Sequence, residues 1–429
     1  CCDCELSDYV SNYFEYEQGS TTNVKIKGRL QAHLKFWVNI DANPEVLNII
    51  ENGYILPFKT TPIKAHFKNN KSAKQNSEFV NEALSELISS GRVVEVEKIP
   101  HVVNPLSVSS NSNSGKKRLI LDLRYVNLHL WRQSVKFDDW RTLKEYIEKN
   151  QYCFTFDIKS GYHHIDISSH MQTFLGFSWN YRGSKKFFCF TVLPFGLSVA
   201  PFVFTKVMRP LVAYWRGCGI KIVVYLDDGI SVNSDKLLCM NQSVQVKFDL
   251  LNSGFVPNRE KSLWDIIQIT IWLGLLWNFA SSTLSIPQKR IDNLVTSVSN
   301  LVHTAHFASA RQVASVVGKI ISMSPAIGNV SRLMTRHLHH VINLRSHWDT
   351  KIDFSSYPEA LRELQFWKDN VHKINGTLLL DYQLPSVIAY SDASNIACGS
   401  FILSCDNVQF HKMWSESESI RSSTWRELQ

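Results

Sequence analysis

The stretch Ile220-Lys-Ile-Val-Val-Tyr-Leu-Asp-Asp-Gly-Ile-Ser-Val232 decides the fold class. Runs of β-branched and aromatic residues on both sides of Asp227-Asp228-Gly229 predict a β-hairpin with two carboxylates at its tip. Adjacent aspartates repel each other unless a cation offsets their charge. Asp-Asp-Gly is also an ordinary turn sequence, so these residues taken alone favour a simple turn over an active site.

A third carboxylate, Asp157, follows the β-rich run Cys153-Phe-Thr-Phe156. Carboxylates from separate strands that meet at one edge of a sheet can hold two Mg²⁺ ions, or Mn²⁺ in their place, about 3.5–4 Å apart. Two-metal nucleotidyl transfer needs this arrangement. The pattern makes Asp157, Asp227 and Asp228, on one antiparallel sheet, candidates for the catalytic residues and metal ligands of such a site.

Helical and strand patterns are mixed along the rest of the chain, which predicts an α+β fold. The spacing of apolar residues predicts helices over 78–89, 200–212 and 291–302. Residues 59–75 are polar and basic, and we predict a loop or linker there. A strand at 387–390 is expected to begin a last structural unit.

The composition is that of a globular protein of two to four domains, with 44% hydrophobic and 20% charged residues. No apolar run approaches the ~18 residues of a membrane-spanning helix, so the sequence predicts no membrane association. The chain begins with Cys1 rather than Met and stops at Gln429, so we expect both ends to continue in a longer polyprotein.

The nine cysteines are an odd number, and six of them are scattered singly from Cys153 to Cys405. This usage favours free thiols in a reducing compartment, which predicts an intracellular location in the cytoplasm or nucleus. Cys1, Cys2 and Cys4 resemble a fragment of a zinc knuckle. No His or Cys partners follow at zinc spacing, so a zinc site is not predicted.

Positive charge is concentrated in one region. The formal net charge is +8, and residues 286–348 contain seven Lys or Arg against one acidic residue, Asp292, a local surplus of 7 − 1 = +6. Such a helical surface suits a phosphate-backbone partner. A merely solvated helical face is an equally good interpretation of the charge alone.

Six motifs, in chain order, resemble those of the reverse transcriptase family. They are Lys117-Arg-Leu-Ile-Leu-Asp122-Leu-Arg124-Tyr-Val-Asn127, Phe154-Thr-Phe-Asp157-Ile-Lys-Ser-Gly-Tyr162, Leu193-Pro-Phe-Gly-Leu-Ser-Val-Ala-Pro201, Tyr225-Leu-Asp-Asp228, Gly254-Phe-Val-Pro-Asn-Arg-Glu-Lys261 and Trp272-Leu-Gly274-Leu-Leu-Trp277. The resemblance implies a right-hand polymerase of fingers, palm and thumb with an antiparallel palm sheet. It also implies an RNA template, a DNA or RNA primer and deoxynucleoside triphosphates as partners.

The resemblance implies nucleotide-binding roles for four residues. Arg118 matches an arginine that grips the incoming triphosphate, a task that suits a rigid guanidinium fork. Tyr162 matches a bulky ring that excludes a ribose 2′-hydroxyl; simple core packing is the alternative. Lys261 matches a lysine near the pyrophosphate, where it would act as a general acid, and a plain surface charge is the alternative. Phe195 stands where retroviral enzymes carry glutamine, which replaces a polar contact with an apolar one.

Trp272, Leu273 and Gly274 resemble the primer grip of the same family. The neighbouring His163 and His164 suggest a metal site, but two consecutive residues of a strand point to opposite sides of it. We therefore predict that they are ordinary palm residues on a strand.

The end of the chain resembles the start of a ribonuclease H domain. Tyr390-Ser-Asp392-Ala-Ser394 would place Asp392 at a strand end, and Ser422-Ser-Thr-Trp-Arg-Glu427-Leu would place Glu427 on the first helix. Only these two carboxylates of the family's metal cluster are present. We expect this α/β unit to be truncated and to have no ribonuclease H activity.

The first part of the chain indicates a more specific resemblance, to one type of retrotransposon. Gly28-Arg29-Leu30, Phe36-Trp37 and Gly53-Tyr54-Ile-Leu-Pro57-Phe58 resemble the segment ahead of the polymerase in DIRS-type retrotransposons, which encode a tyrosine recombinase. The predicted domains are an N-terminal extension and strap (1–75), fingers and palm (76–285), a helical thumb-like region (286–350), a connection (351–385) and the ribonuclease H start (386–429).

The predicted function is RNA-directed DNA polymerase of a retrotransposon. The main alternative is a catalytically inactive or host-adopted copy that only binds nucleic acid. A metal-dependent nuclease built on the Asp-Asp hairpin alone would leave Arg118, Tyr162 and the primer-grip segment without a role.

Overall fold

A computed structural model describes residues 25–110, 115, 117–303, 308–380, 388–402 and 408–427. The chain divides into two compact units, Cys1–Leu379 and Leu380–Gln429, and each contains both helices and strands. No helix in the described ranges combines the length and apolarity needed to cross a membrane.

The palm sheet of the first unit has four antiparallel strands and contains the predicted hairpin. In spatial order its strands are Leu263–Ile267, Tyr152–Asp157, Asp228–Asn233 and Ile222–Tyr225. The register pairs Asp228 with both Asp157 and Tyr225. The three predicted carboxylates therefore meet at one end of two neighbouring strands.

Aromatic packing beneath the carboxylates fixes this sheet. The ring of Phe156 stacks on Trp264 with centroids 6.0 Å apart and meets Trp215 edge-on at 6.0 Å. Gly229 pairs with Phe156 across the sheet, and a Cβ atom at Gly229 would overlap the Phe156 ring. Only glycine fits directly after the two hairpin aspartates. Two long helices also belong to the palm, Ala200–Gly217 and Lys236–Asn252.

The fingers region contains a five-stranded mixed sheet and a separate hairpin. In spatial order the sheet strands are Ala65–His66, Val102–Asn104, Gly176–Tyr181, Ser184–Phe190 and Val93–Val96, and the hairpin strands are Leu106–Ser110 and Lys117–Leu121. The helices of this region are Lys71–Gln75, Ser77–Ser89, Arg124–Leu128 and Trp140–Glu145, and the 3₁₀ turns are Gly161–His164 and Ser169–Leu175. The prediction of a helix over 78–89 is confirmed.

The interpretation of residues 59–75 as a loop or linker is wrong. Ala65 and His66 pair in parallel with Val102 and Val103, and the helix Lys71–Gln75 buries Ala73 completely. A two-residue strand and a one-turn helix are too short for sequence periodicity to reveal. Their structure depends on partners about forty residues away.

The helical region after the palm confirms the predicted helix over 291–302. Its helices are Gln288–His303, Ala310–Ile321, Ser324–Ile327, Val330–Leu333, Arg336–Asn343 and Pro358–Asn370, with a 3₁₀ turn at Phe354–Ser356 and a two-stranded sheet of Ala308–Ser309 and Lys351–Ile352. A four-stranded antiparallel sheet precedes and closes the region, formed by Ile269–Trp272, Leu275–Asn278, Thr283–Ser285 and Thr377–Leu378.

The N-terminal segment belongs to the palm core. It contains three short helices, Arg29–Ala32, Leu34–Asn39 and Pro44–Asn52. Trp37 is 0% exposed, and its Nε1–H donates a hydrogen bond to the Ser253 carbonyl at 2.9 Å. Arg29 Nε donates to the Gly254 carbonyl at 3.0 Å. This segment therefore supports the loop that follows the helix Lys236–Asn252.

The second unit has a three-stranded antiparallel sheet and two short helices. Its strands are Ala389–Ala393, Ala397–Ile402 and Gln409–Met413, and its helices are Glu416–Ser419 and Ser423–Glu427. The predicted strand at 387–390 is present within the described part as Ala389–Ala393.

Candidate active site

The three aspartates occupy the adjoining ends of two palm strands. Asp157 ends its strand and is 7% exposed, Asp227 lies in the two-residue hairpin turn, and Asp228 begins the return strand. Leu226 precedes them with a left-handed φ of 54°, which is unfavourable for leucine. The packed strands on both sides hold the turn in this conformation.

Electrostatic repulsion is strong at this place. Burial raises the pKa of Asp227 above its ordinary value, and the charge of Asp157 adds to the effect. Burial and the charges of Asp227 and Asp157 raise the pKa of Asp228 to about 6, and a side-chain hydrogen bond joins Asp228 to Asp157. The cluster therefore favours any positive charge placed beside it.

Lys261 supplies one such charge. Its Nζ donates a hydrogen bond to Asp157 Oδ2 at 2.8 Å, and this bond raises the pKa of the lysine. The Lys261 side chain is 59% exposed, so the contact is within reach of solvent. The structure thus places Lys261 at the carboxylates.

The donor chemistry fits hard divalent cations such as Mg²⁺, which bind carboxylate oxygens. Asp157, Asp227 and Asp228 are oxygen donors on adjoining backbone positions whose mutual repulsion a cation would relieve. Within the described ranges, however, no group of three or more His, Cys, Asp or Glu side chains has the arrangement of a metal site. The assignment of the three aspartates as metal ligands therefore stays a prediction.

A cleft of about 470 Å³ adjoins the carboxylates. Its lining includes four predicted nucleotide-binding residues, Arg118, Tyr162, Phe195 and Lys261, together with Asp157 and Asp227. Arg118 comes from the fingers strand Lys117–Leu121, and its charge lowers the pKa of Asp227. Residues from five separate motifs thus line one cavity.

Tyr162 forms one wall of this cleft. Its ring centroid is 5.5 Å from that of Phe195 and 5.7 Å from that of Phe204, and the side chain is half-buried. Burial, and then the charge of Asp227, raise the pKa of its phenol to about 12, so the hydroxyl stays protonated at neutral pH. Phe195 is 41% exposed and presents an apolar surface.

The prediction that His163 and His164 lie on a strand is wrong. Both belong to the 3₁₀ turn Gly161–His164 and are buried, and burial lowers the pKa of each to about 3. His164 Nε2 accepts a hydrogen bond from the Val256 N–H at 3.1 Å, and Nδ1–H donates to the Gly161 carbonyl at 3.2 Å. The neutral imidazole therefore joins the turn beside Tyr162 to the loop before Lys261.

Asn258 is a lining residue that the sequence analysis missed. Its backbone N–H donates to the Asp157 carbonyl at 2.7 Å, and it lines the cleft. Asn258 lies inside the motif that ends at Lys261, so that motif could have identified it as a site residue.

The primer-grip residues form a hairpin turn. Trp272 is 4% exposed, and its Nε1 has no hydrogen-bond partner among the described residues. Leu273 and Gly274 form the turn, with φ values of 48° and 72°. The turn residues are half-buried, whereas Trp272 packs inside the sheet.

The predicted ribonuclease H residues lie in the second unit. Asp392 is exposed on the strand Ala389–Ala393, next to a small cavity of about 80 Å³ that Arg426 also lines. Glu427 ends the helix Ser423–Glu427, and its side chain lies outside the described part of the chain.

Comparison with protein families identifies the central region. Residues 105–265 match the model of the family "Reverse transcriptase (RNA-dependent DNA polymerase)". This stretch is therefore similar to a reverse transcriptase domain. The match contains the fingers arginine, the three palm aspartates and Lys261, so the motif-based resemblance agrees with it.

Curated relatives of the reverse transcriptase domain are polyproteins. The chain is 27% identical over 179 residues to the retrovirus-related Pol polyprotein from transposon 412 of Drosophila melanogaster, covering 41% of the chain and 14% of that protein. It is 29% identical over 159 residues to the one from transposon gypsy of the same fly, covering 36% and 15%. The chain thus matches about one seventh of the length of these relatives.

Solved structures share the fold of the reverse transcriptase domain and its neighbours. A foamy viral protease-reverse transcriptase in complex with dsDNA superposes with a TM-score of 0.61 at 16% identity, covering 95% of this chain and 85% of that one. The same enzyme in complex with an RNA/DNA hybrid gives 0.60 at 15% identity, covering 96% and 55%. The predicted α+β polymerase fold is confirmed.

Proposed function

We propose that the chain is an RNA-directed DNA polymerase that transfers deoxynucleotides onto a primer 3′-hydroxyl. One observation carries the proposal: Asp157 and Asp227 share a cleft with Arg118, Tyr162 and Phe195. Nucleotidyl transfer needs carboxylates that bind metal ions, a group that binds the charged triphosphate and a surface that contacts the sugar. This cleft contains a suitable residue for each of these tasks.

Each residue has a defined task in this proposal. Asp157, Asp227 and Asp228 would hold two Mg²⁺ ions, which when bound activate the attacking hydroxyl and stabilise the leaving group. Arg118 would bind the triphosphate through its guanidinium fork. Lys261, kept protonated by the neighbouring aspartates, would give a proton to the departing pyrophosphate. Tyr162 would exclude a ribose 2′-hydroxyl.

The proposal also covers the partners of the chain, its location and the role of its last residues. An RNA template, a DNA or RNA primer and deoxynucleoside triphosphates are its proposed partners, and the solved relatives were captured with dsDNA or an RNA/DNA hybrid. We propose an intracellular retrotransposon polyprotein of DIRS type, on the strength of the Gly28-to-Phe58 segment and Gly229. Asp392 and Glu427 would contribute carboxylates to a ribonuclease H metal cluster.

Primer extension on poly(rA)/oligo(dT) with Mg²⁺ tests the proposal. The parent should incorporate dTTP, and Asp227→Asn should abolish incorporation because it removes a carboxylate from the cluster. Asp265→Asn is the matched control, since Asp265 lies exposed on the neighbouring palm strand and the same charge is removed there. It should retain activity.

The same experiment separates the alternatives. A chain that binds the primer–template tightly yet incorporates nothing under any metal would be a nucleic-acid-binding copy without chemistry. Equal activity of the parent and Asp227→Asn would remove the hairpin carboxylates from the mechanism.

A further inference from the structure

The hairpin turn at Leu273-Gly274 is held in a demanding conformation. Both residues have positive φ, 48° and 72°, as a two-residue type I′ turn requires. Leucine is disfavoured in this left-handed region, so contacts from outside the turn must help to hold it. The turn joins Ile269–Trp272 to Leu275–Asn278.

Arg290 provides such a contact from the helix Gln288–His303. Its Nη1 donates a hydrogen bond to the Gly274 carbonyl at 2.6 Å. The turn lies directly on the guanidinium group, because a Cβ atom at Gly274 would be only 3.1 Å from Nη1. Burial lowers the pKa of Arg290, which shows that the group has given up part of its hydration for this position.

The other end of the guanidinium group binds a second helix. Nη2 of Arg290 donates to Ser322 Oγ at 2.7 Å, and Ser322 Oγ in turn donates to the Lys319 carbonyl at 2.6 Å. Ser322 is the C-terminal cap of the helix Ala310–Ile321. One side chain therefore joins the hairpin turn to two helices.

We propose that Arg290 is a positioning residue. Its hydrogen bonds fix the position of the turn Leu273-Gly274 relative to these two helices. The proposal rests on the proposed function and on the resemblance of Trp272-Leu273-Gly274 to a primer grip, which implies that this turn contacts the primer end. Arginine suits the task because its planar fork reaches two acceptors at fixed directions, which a lysine ammonium does not. Loss of Arg290 should leave the rate of nucleotide transfer nearly unchanged and weaken the binding of the primer.

Steady-state and single-binding-event primer extension test this role. Arg290→Ala should raise the KM for primer–template by about tenfold, the effect expected for losing a hydrogen bond to a charged group. The number of nucleotides added per binding event, measured with a heparin trap, should fall as well. The rate of the first incorporation on bound primer should change less than twofold.

Three further variants separate this role from its alternatives. Arg290→Lys, which reaches one acceptor, should restore only part of the parent behaviour, and Ser322→Ala should give an intermediate loss. Lys289→Ala removes one positive charge from the same helix without touching the turn, so it should reduce the salt dependence of binding and lower the number of nucleotides per binding event less than Arg290→Ala does. Thermal unfolding of each variant checks that it is folded.

Two results would overturn the inference while the proposed function stands. One is a parent-like KM and a parent-like number of nucleotides per binding event for both Arg290→Ala and Ser322→Ala. The other is an equal loss in Lys289→Ala, since that would make Arg290 one phosphate-binding charge among several. A parent without any primer extension would instead contradict the proposed function itself.

Discussion

Tyr162 connects the palm core to the cleft beside Asp157 and Asp227 through its contacts with Phe204 and Phe195. If its bulk excludes the 2′-hydroxyl, Tyr162→Ala should admit ribonucleotides. We expect discrimination to fall at least about tenfold, the size of effect of a steric contact with one group. Tyr162→Phe is the matched control and should keep the discrimination. Relative incorporation of UTP and dTTP is the measurement, and unchanged discrimination in Tyr162→Ala would make the ring a core residue only.

Asp249 is a buried carboxyl that the proposed chemistry does not use. Burial raises its pKa to about 7 from an ordinary value of 3.8, although Trp215 Nε1–H donates a hydrogen bond to Oδ2 at 2.9 Å and opposes the shift. The folded state therefore keeps this proton to a higher pH than the unfolded state does. The stability that the protonated group contributes is present below about pH 4 and is lost as the pH rises through 7.

Asp249→Asn should remove this loss, because an amide oxygen still accepts from Trp215 and never ionises. From pH 5 to pH 8 the parent should lose about 2–3 kcal/mol of unfolding free energy relative to the variant. Urea unfolding at both pH values measures the difference. Asp265→Asn, at an exposed position, is the control, and parallel pH profiles for parent and Asp249→Asn would contradict the prediction.

At the residue scale, the sequence was informative wherever a role depends on a local motif. The carboxylates and Arg118 could be predicted in this way, and the structure brings Asp157, Asp227 and Arg118 to one cleft. The hydrogen bonds of His164 to Val256 and Gly161 could not be predicted. The bond to Val256 joins residues 92 positions apart, and no short pattern encodes that distance.

At the scale of elements, the helices after the palm were predictable because their apolar spacing is a local property with a 3.6-residue period. The partners of their cations were not. Arg311 Nε lies 3.1 Å from Asp349 Oδ1, and Lys319 Nζ donates to Ser297 Oγ at 2.5 Å. Lys289, Arg332 and Arg336 are exposed and have no partner within the described ranges.

This difference sharpens the prediction of phosphate contacts. Changing Lys289, Arg332 and Arg336 together to Gln should lower the log–log salt slope of primer–template binding by up to about 2.7, at 0.9 per lost contact on B-form DNA. Arg311→Gln is the control, because its guanidinium is engaged by Asp349, and it should change the slope less. Fluorescence anisotropy from 50 to 300 mM salt, a range chosen to span roughly physiological strength, measures both. An unchanged slope in the triple variant would favour a solvated helical face.

At the scale of the whole molecule, Trp37 ties the N-terminal segment to the palm. Its ring meets Phe255 edge-on at 6.0 Å, and the side chain is fully buried. Trp37→Ala should cost about 3–5 kcal/mol of unfolding free energy, as for other large buried aromatic residues. Val38→Ala is the control, since Val38 is 56% exposed and should cost under about 0.5 kcal/mol. Denaturant unfolding compares them, and similar losses for the two variants would contradict the assignment of Trp37 to the core.

The attachment of that segment has a consequence for how the matched region could be transferred between proteins. The family match begins at residue 105, yet side chains that complete the palm interior begin at Ile26. If only the matched stretch were transferred into another polyprotein, the Phe255 ring would lose its contact with Trp37. The Ser253 and Gly254 carbonyls would also lose their hydrogen-bond donors. The smallest segment that can be transferred with an intact palm is therefore longer than the segment that the family match recognises. Selection should keep residues 25–58 together with the palm even while their sequence changes.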